Sequence, residues 1–145
     1  MYKHLLIATD GSDTGDQAVR QGLAAAKAFN AKVTAVKVTE MWSALDIAGK
    51  DSFSKIENYE TAVAKAARQI LDRVAETAKD AGIACEIVHV ADSAPAAGIL
   101  SIAKSHGCDL IVMGSHGRRG LNRLLLGSQS HKVLSETDIS VLVCR

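Results

Sequence analysis

Two stretches of this chain are apolar at every position and then stop abruptly. Leu5 to Ala8 runs into Thr9-Asp10-Gly11-Ser12, and Leu110 to Met113 runs into Gly114. A strand with one wet face alternates apolar and polar residues. Unbroken runs of this length are apolar on both faces, and they belong inside a parallel sheet covered by helices on either side.

The rest of the chain alternates between helical and strand-like patterns. Val19, Leu23, Ala26 and Phe29 share one face of a helix over about 14–29, capped by Ser12 or Asp13 and stopped at Asn30. Val33 to Val38 is a second strand, in which Thr34 and Lys37 point to less complete burial than in the first. A helix over about 53–81 ends at Gly82, and 83–90 forms a peripheral strand with polar Glu86 and His89. A short helix over 94–106 carries the only proline near its start, where proline is tolerated. The strand 109–113, a helix from Ser128 or Ser130 to about Glu136, and a last strand 139–144 complete the chain. Only 40–55 lacks a regular period, and loops longer than ~12 residues are often functional.

Strands alternating with helices predict an α/β fold with a five-stranded parallel sheet. Right-handed crossovers make it doubly wound and Rossmann-like. Placing the two most apolar strands side by side gives the order 3-2-1-4-5. The switch point then lies between strands 1 and 4, at their carboxyl ends, where such sheets bind ligands. Asp10 and Gly114 occupy those two ends.

Length and composition narrow the function. At 145 residues the chain is one domain, 1–145, and 48% hydrophobic residues supply a core built mostly from Ala, Val, Leu and Ile. A net charge of +1 gives no basis for binding nucleic acid. No apolar stretch approaches the ~20 residues of a membrane helix. Cys85, Cys108 and Cys144 form no CxxC pair, which fits a reduced, cytoplasmic compartment. The histidines show no metal-ligand spacing with these cysteines, so no zinc site is expected.

The chemistry concentrates in 109–130, DLIVMGSHGRRGLNRLLLGSQS. Gly114 and Gly117 enclose Ser115 and His116, and nine residues separate Gly117 from Gly127-Ser128. A strand, a glycine turn and a helix start together suit an anion, because glycine lets the backbone approach and the helix end offers N–H groups. The patterns GxxxxGK[ST] and GxGxxG are both absent. The spacing G-2x-G-9x-G-S, the opening LLIATDGSDTGDQAV and the ending VLSETDISVLVCR resemble the universal stress protein family, in its ATP-binding branch, over essentially the whole chain.

That resemblance implies an adenine nucleotide alpha hydrolase-like fold and a bound ATP, or ADP or AMP. Adenine is expected at the main chain of Val38. Ribose is expected near Asp10 and Gly114, with Thr9 and Ser12 as weaker candidates. Phosphates are expected against the amides of 115–118 and 127–130. The candidate nucleotide contacts are therefore Thr9, Asp10, Ser12, Val38, Met113, Gly114, Ser115, His116, Gly117, Arg118, Gly127, Ser128, Gln129 and Ser130. Several have other readings: Asp10 as an Asx turn, Met113 as core, His116 as a solvated loop residue, and Ser128 or Ser130 as helix caps. Arg118, Arg119 and Arg123 suit phosphate or plain surface equally. Mg²⁺ or Mn²⁺ would arrive with the phosphates. Gln129, Ile139-Ser140 and Lys37 depart from the family pattern, which commonly has Val, Cys-Pro and His there.

The function expected is ATP binding in a stress-response protein, with at most slow hydrolysis and no protein-held metal. A nucleotide-free interaction module and a true ATPase are the alternatives. ATP-using transferases or ligases on related folds carry SGGxDS or HxGH, and neither occurs here. The last strand, at a sheet edge, invites self-pairing. Family members commonly dimerise there, so a homodimer through 139–144 is expected.

Overall fold

The computed structural model describes residues 1–40, 53–116 and 126–145. Nine elements follow in order: β1 (His4–Ala8), α1 (Asp13–Phe29), β2 (Lys32–Val38), α2 (Phe53–Asp80), β3 (Cys85–Val90), α3 (Pro95–Ser105), β4 (Leu110–Gly114), α4 (Ser128–Glu136) and β5 (Ser140–Cys144). The strands are all parallel, in the order β3-β2-β1-β4-β5. The two fully apolar runs lie side by side, Leu5 against Leu110 and Ile7 against Val112.

Alternation along the central strands divides the core into two layers. Leu5 and Ile7 of β1 and Leu110 and Val112 of β4 pack with α1 and α2 through Val19, Leu23, Leu71 and Val74. Leu6, Ile111 and Met113 face the other way, against Ala96, Ile99, Ala103 and Val133 of α3 and α4. Each central strand thus needs apolar residues at every position, which is what its sequence supplies.

Three helices enter their following strands through the same turn. Asn30, Gly82 and Gly107 adopt left-handed φ of 54°, 73° and 67° just past α1, α2 and α3. The next residue then donates back into the helix: Ala31 to Ala26, Ile83 to Ala78 and Cys108 to Ala103, at 2.8, 2.9 and 2.9 Å. These pairs close the orphan carbonyls of each helix end. The turn after α2 takes up Ile83, so β3 starts at Cys85 rather than at 83.

Thr34 corrects the expectation for β2. It is completely buried, and its Oγ1 lies 2.7 Å from Nε2 of His4, itself buried. The polar atoms satisfy one another inside the sheet, so a polar residue here does not mark exposure. Below this pair, the Asp109 carboxylate accepts from the N–H groups of Lys3 and His4 at 2.8 and 3.1 Å and ties the starts of β1 and β4 together. Burial also pushes the Cys108 thiol up to about 11, so it behaves as a small core residue.

Burial, followed by nearby Lys32, holds His4 below the usual histidine range, against opposing contributions from the His106 backbone and Asp109. Burial and then Lys37 do the same to His89, whose Nε2 lies 2.7 Å from Thr39 Oγ1. Both histidines take up a proton near pH ~6.5 only once unfolded. Their contribution to stability is complete above that value and is lost as pH falls below it. Urea midpoints measured at pH 7.5 and 5.5 should therefore decrease toward the acid side.

Candidate functional site

The first turn of α1 is where the two strand tips meet. On one side, Asp10 follows β1. Its Oδ1 accepts from Ser12 N–H at 2.9 Å and from the Ser12 hydroxyl. Ser12 Oγ accepts in turn from Gly15 N–H at 3.2 Å, making Ser12 the N-cap of α1. Thr9 is buried; its N–H donates to Val36 and its Oγ1 accepts from Gly11 N–H at 3.2 Å. A Cβ on Gly15 would lie 2.7 Å from Asp10 Oδ1 and 3.0 Å from Thr9 Oγ1, so only glycine lets the helix start this close to the carboxylate.

On the other side stands the turn after β4. A Cβ on Gly114 would lie 2.9 Å from Thr14 O and 3.0 Å from Thr14 Cβ. The Thr14 hydroxyl donates to His116 O across this junction. Thr14 and Gly15 therefore touch the two tips on neighbouring residues. Sequence reasoning passed over both. A glycine in the first turn of a helix runs against propensity, and that was the available signal.

Main-chain pairing uses up part of the expected amide cradle. Ser115 N–H donates to Cys144 O and Gly127 N–H to Ser115 O, both at 2.7 Å. Those two amides hold the turn to β5 and to α4, a correction to the expectation that they face phosphate. Gly127, with no side-chain cap, is the N-cap of α4, rather than Ser128 or Ser130. Buried Ser130 instead donates its hydroxyl to Gly114 O at 2.9 Å. The first bond within α4 runs from His131 N–H to Gly127 O. The amides of Ser128, Gln129 and Ser130 have no acceptor in their own helix, as at any helix start.

His116 lies between these parts. Its Nδ1 is 2.9 Å from Ser115 Oγ, and its Nε2 is buried with no hydrogen-bond partner among the described residues. Met113 is buried in the α3–α4 layer.

Gln129 has a structural use. Its Oε1 accepts from Ala96 N–H at 3.1 Å, at the start of α3, where Ala94 provides no side-chain cap. Gln129→Val should remove this cap and lower stability by about 1 kcal/mol, a fall of roughly 3 °C in a thermal melt.

Val38 ends β2. Val36 O accepts from Thr9 on the β1 side at 3.0 Å, whereas Thr39 N–H donates to Val90 on the β3 side at 2.8 Å. Main-chain groups alternate in direction along a strand, so the N–H and C=O of Val38 turn toward the β1 side. There β1 has already ended at Ala8, opposite Val36. The valine side chain packs onto α3, its Cγ2 2.8 Å from the position of a Cβ on Gly98. Gly117, Arg118, Arg119 and Arg123 lie outside the described residues, as does 41–52 of the expected loop. Among the described residues no three His, Cys, Asp or Glu side chains group to hold a metal ion. No described helix is long and apolar enough to cross a membrane.

A five-stranded parallel sheet in this order, with helices on both faces and a glycine turn and a helix start at its switch point, defines a Rossmann-like α/β protein. The model of the universal stress protein family matches residues 1–145, and the chain belongs to that family. It is 33% identical to universal stress protein YxiE of Bacillus subtilis, with both chains covered fully. It is 30% identical to universal stress protein MJ0531 of Methanocaldococcus jannaschii, over the whole chain and 83% of that protein. The solved structure of protein MJ0577, from the same archaeon, superposes with a TM-score of 0.83 at 26% identity, covering 99% of this chain and 96% of that one. A universal stress protein solved in complex with cAMP gives 0.69 at 26% identity, covering 99% and 97%.

Proposed function

We propose that this protein binds an adenine nucleotide, ATP, in the crevice between the tips of β1 and β4. One observation carries the reading. The first turn of α1 brings the carboxylate-bearing turn and the glycine turn onto adjacent residues, Gly15 and Thr14. The cAMP complex of a relative at 26% identity supports the ligand class. In this reading the adenine edge pairs with the main chain of Val38. Asp10 accepts from ribose hydroxyls, with Thr9 and Ser12 behind it and Gly114 opposite. The phosphates lie over Gly117, Arg118 and the first-turn amides of α4, where the helix dipole favours negative charge. A divalent cation would arrive with the phosphates, since Mg²⁺ typically uses few protein ligands.

Calorimetry with ATP, ADP and AMP tests this, together with mass spectrometry of nucleotide released on denaturing the purified protein. Binding at micromolar to millimolar ATP is expected, and none at millimolar ATP overturns the reading. A second reading, a nucleotide-free interaction module, draws on one observation: the Ser115 and Gly127 amides are already paired. The same calorimetry separates the two.

We also propose a homodimer through β5. This strand ends the sheet, and Leu142 on it and Leu134 on α4 are exposed. Sedimentation at micromolar concentration should give a dimer, and a monomer throughout counts against it.

A further inference from the structure

Gly98 breaks a local rule. It is buried in the first turns of α3, where glycine holds a helix less firmly than alanine. What it allows is a close approach to Val38. A Cβ on Gly98 would lie 2.8 and 3.0 Å from the two Val38 methyls and 3.3 Å from Ser93 Oγ. The Ser93 hydroxyl can rotate away. The valine methyls have little freedom to do so, because branching at Cβ restricts the side chain.

The helix has little room to retreat. Ala96 and Ile99, on either side of Gly98, are buried in the same apolar layer as Val36 and Met113, and Gln129 Oε1 holds Ala96 N–H at 3.1 Å. Val38 is the side that gives way. It ends β2, and on its β1 side the neighbouring strand has already stopped at Ala8. The α3 helix lies on a face of the sheet, whereas the N–H and C=O of Val38 lie in its plane. A push from α3 therefore lifts those two groups out of the plane in which a base edge would meet them.

We propose that Gly98 is a positioning residue for base selection: by leaving the space that the Val38 side chain fills, it holds the Val38 N–H and C=O level with the adenine edge. This rests on the nucleotide reading above and assigns the base preference to a residue that acts through Val38. A neighbouring N–H donor and C=O acceptor match the N1 acceptor and the N6 amino donor of adenine. Guanine presents the reverse, a protonated N1 and a carbonyl O6, so the same main chain disfavours it.

The test is a two-residue cycle on the full chain, read by titration with ATP and GTP. Gly98→Ala should weaken ATP about tenfold and leave GTP within about twofold, so that the preference for ATP shrinks. Its thermal midpoint should stay within about 4 °C of wild type, since the helix propensity of alanine offsets the crowding. In a Val38→Ala background the same change at 98 should cost no ATP affinity, because the methyls it would meet are gone. Wild-type ATP affinity in Gly98→Ala overturns the proposal. So does an equal loss for ATP and GTP, or a loss that persists undiminished in the Val38→Ala background. Wild-type protein that binds ATP and GTP equally overturns it and leaves the nucleotide reading standing. Wild-type protein that binds no ATP overturns the nucleotide reading and this inference with it.

Discussion

Gly114→Val is expected to lower stability by about 3 kcal/mol, to drop the thermal midpoint by roughly 10 °C, and to cut ATP affinity at least about tenfold. The cost lies at the upper end of overpacking because two of the atoms in the way are main chain and the third is a Cβ fixed to it. A Cβ on Gly114 meets Thr14 O, C and Cβ at 2.9 to 3.0 Å, and none of these can rotate aside as a side-chain end would. The start of α1 must retreat from β4, carrying with it the Thr14 hydroxyl that holds His116 O. Gly82→Ala is the control. Gly82 has a φ of 73° and nothing within 4 Å of an added Cβ. It should lose about 1 kcal/mol from left-handed backbone alone and leave nucleotide affinity unchanged. Scanning calorimetry and ATP titration of both variants check the contrast.

Asp10→Asn and Asp10→Ala should part company. Asn keeps an oxygen that accepts from Ser12 N–H, so its melting temperature should stay within about 2 °C of wild type. Ala removes the turn and should cost about 1 kcal/mol. If the carboxylate receives ribose hydroxyls, both lose affinity: Asn about tenfold and Ala up to about a hundredfold. Titration of the two variants with adenosine decides it. Full affinity in Asp10→Asn would reduce Asp10 to a turn former.

The sheet was legible because its logic is local. Apolar runs such as Leu110 to Met113 state that a strand is covered on both faces, and Gly82 and Gly107 announce left-handed turns where helices stop. Strand order and the position of the switch point follow from these. What the sequence did not disclose are pairings between distant residues. Thr34 reads as a sign of less complete burial until His4, on a neighbouring strand, meets it. Gln129 reads as a residue of the phosphate turn, and nothing local shows that its side-chain oxygen accepts from Ala96 N–H at the start of α3. The amides of Ser115 and Gly127 read as open until Cys144 and Ser115 supply acceptors. Thr14 and Gly15 carry a weak local signal, and their importance comes from what stands on either side of them.

The adjacency of Thr14 and Gly15 makes a single peptide unit act as a ruler. The gap between the acidic rim of the crevice and its glycine rim is measured in backbone, with no long side chain free to stretch or shrink it. Exchanging surface residues around the opening should tune grip while leaving that gauge untouched. A one-residue insertion after Ser12 would reset both rims at once.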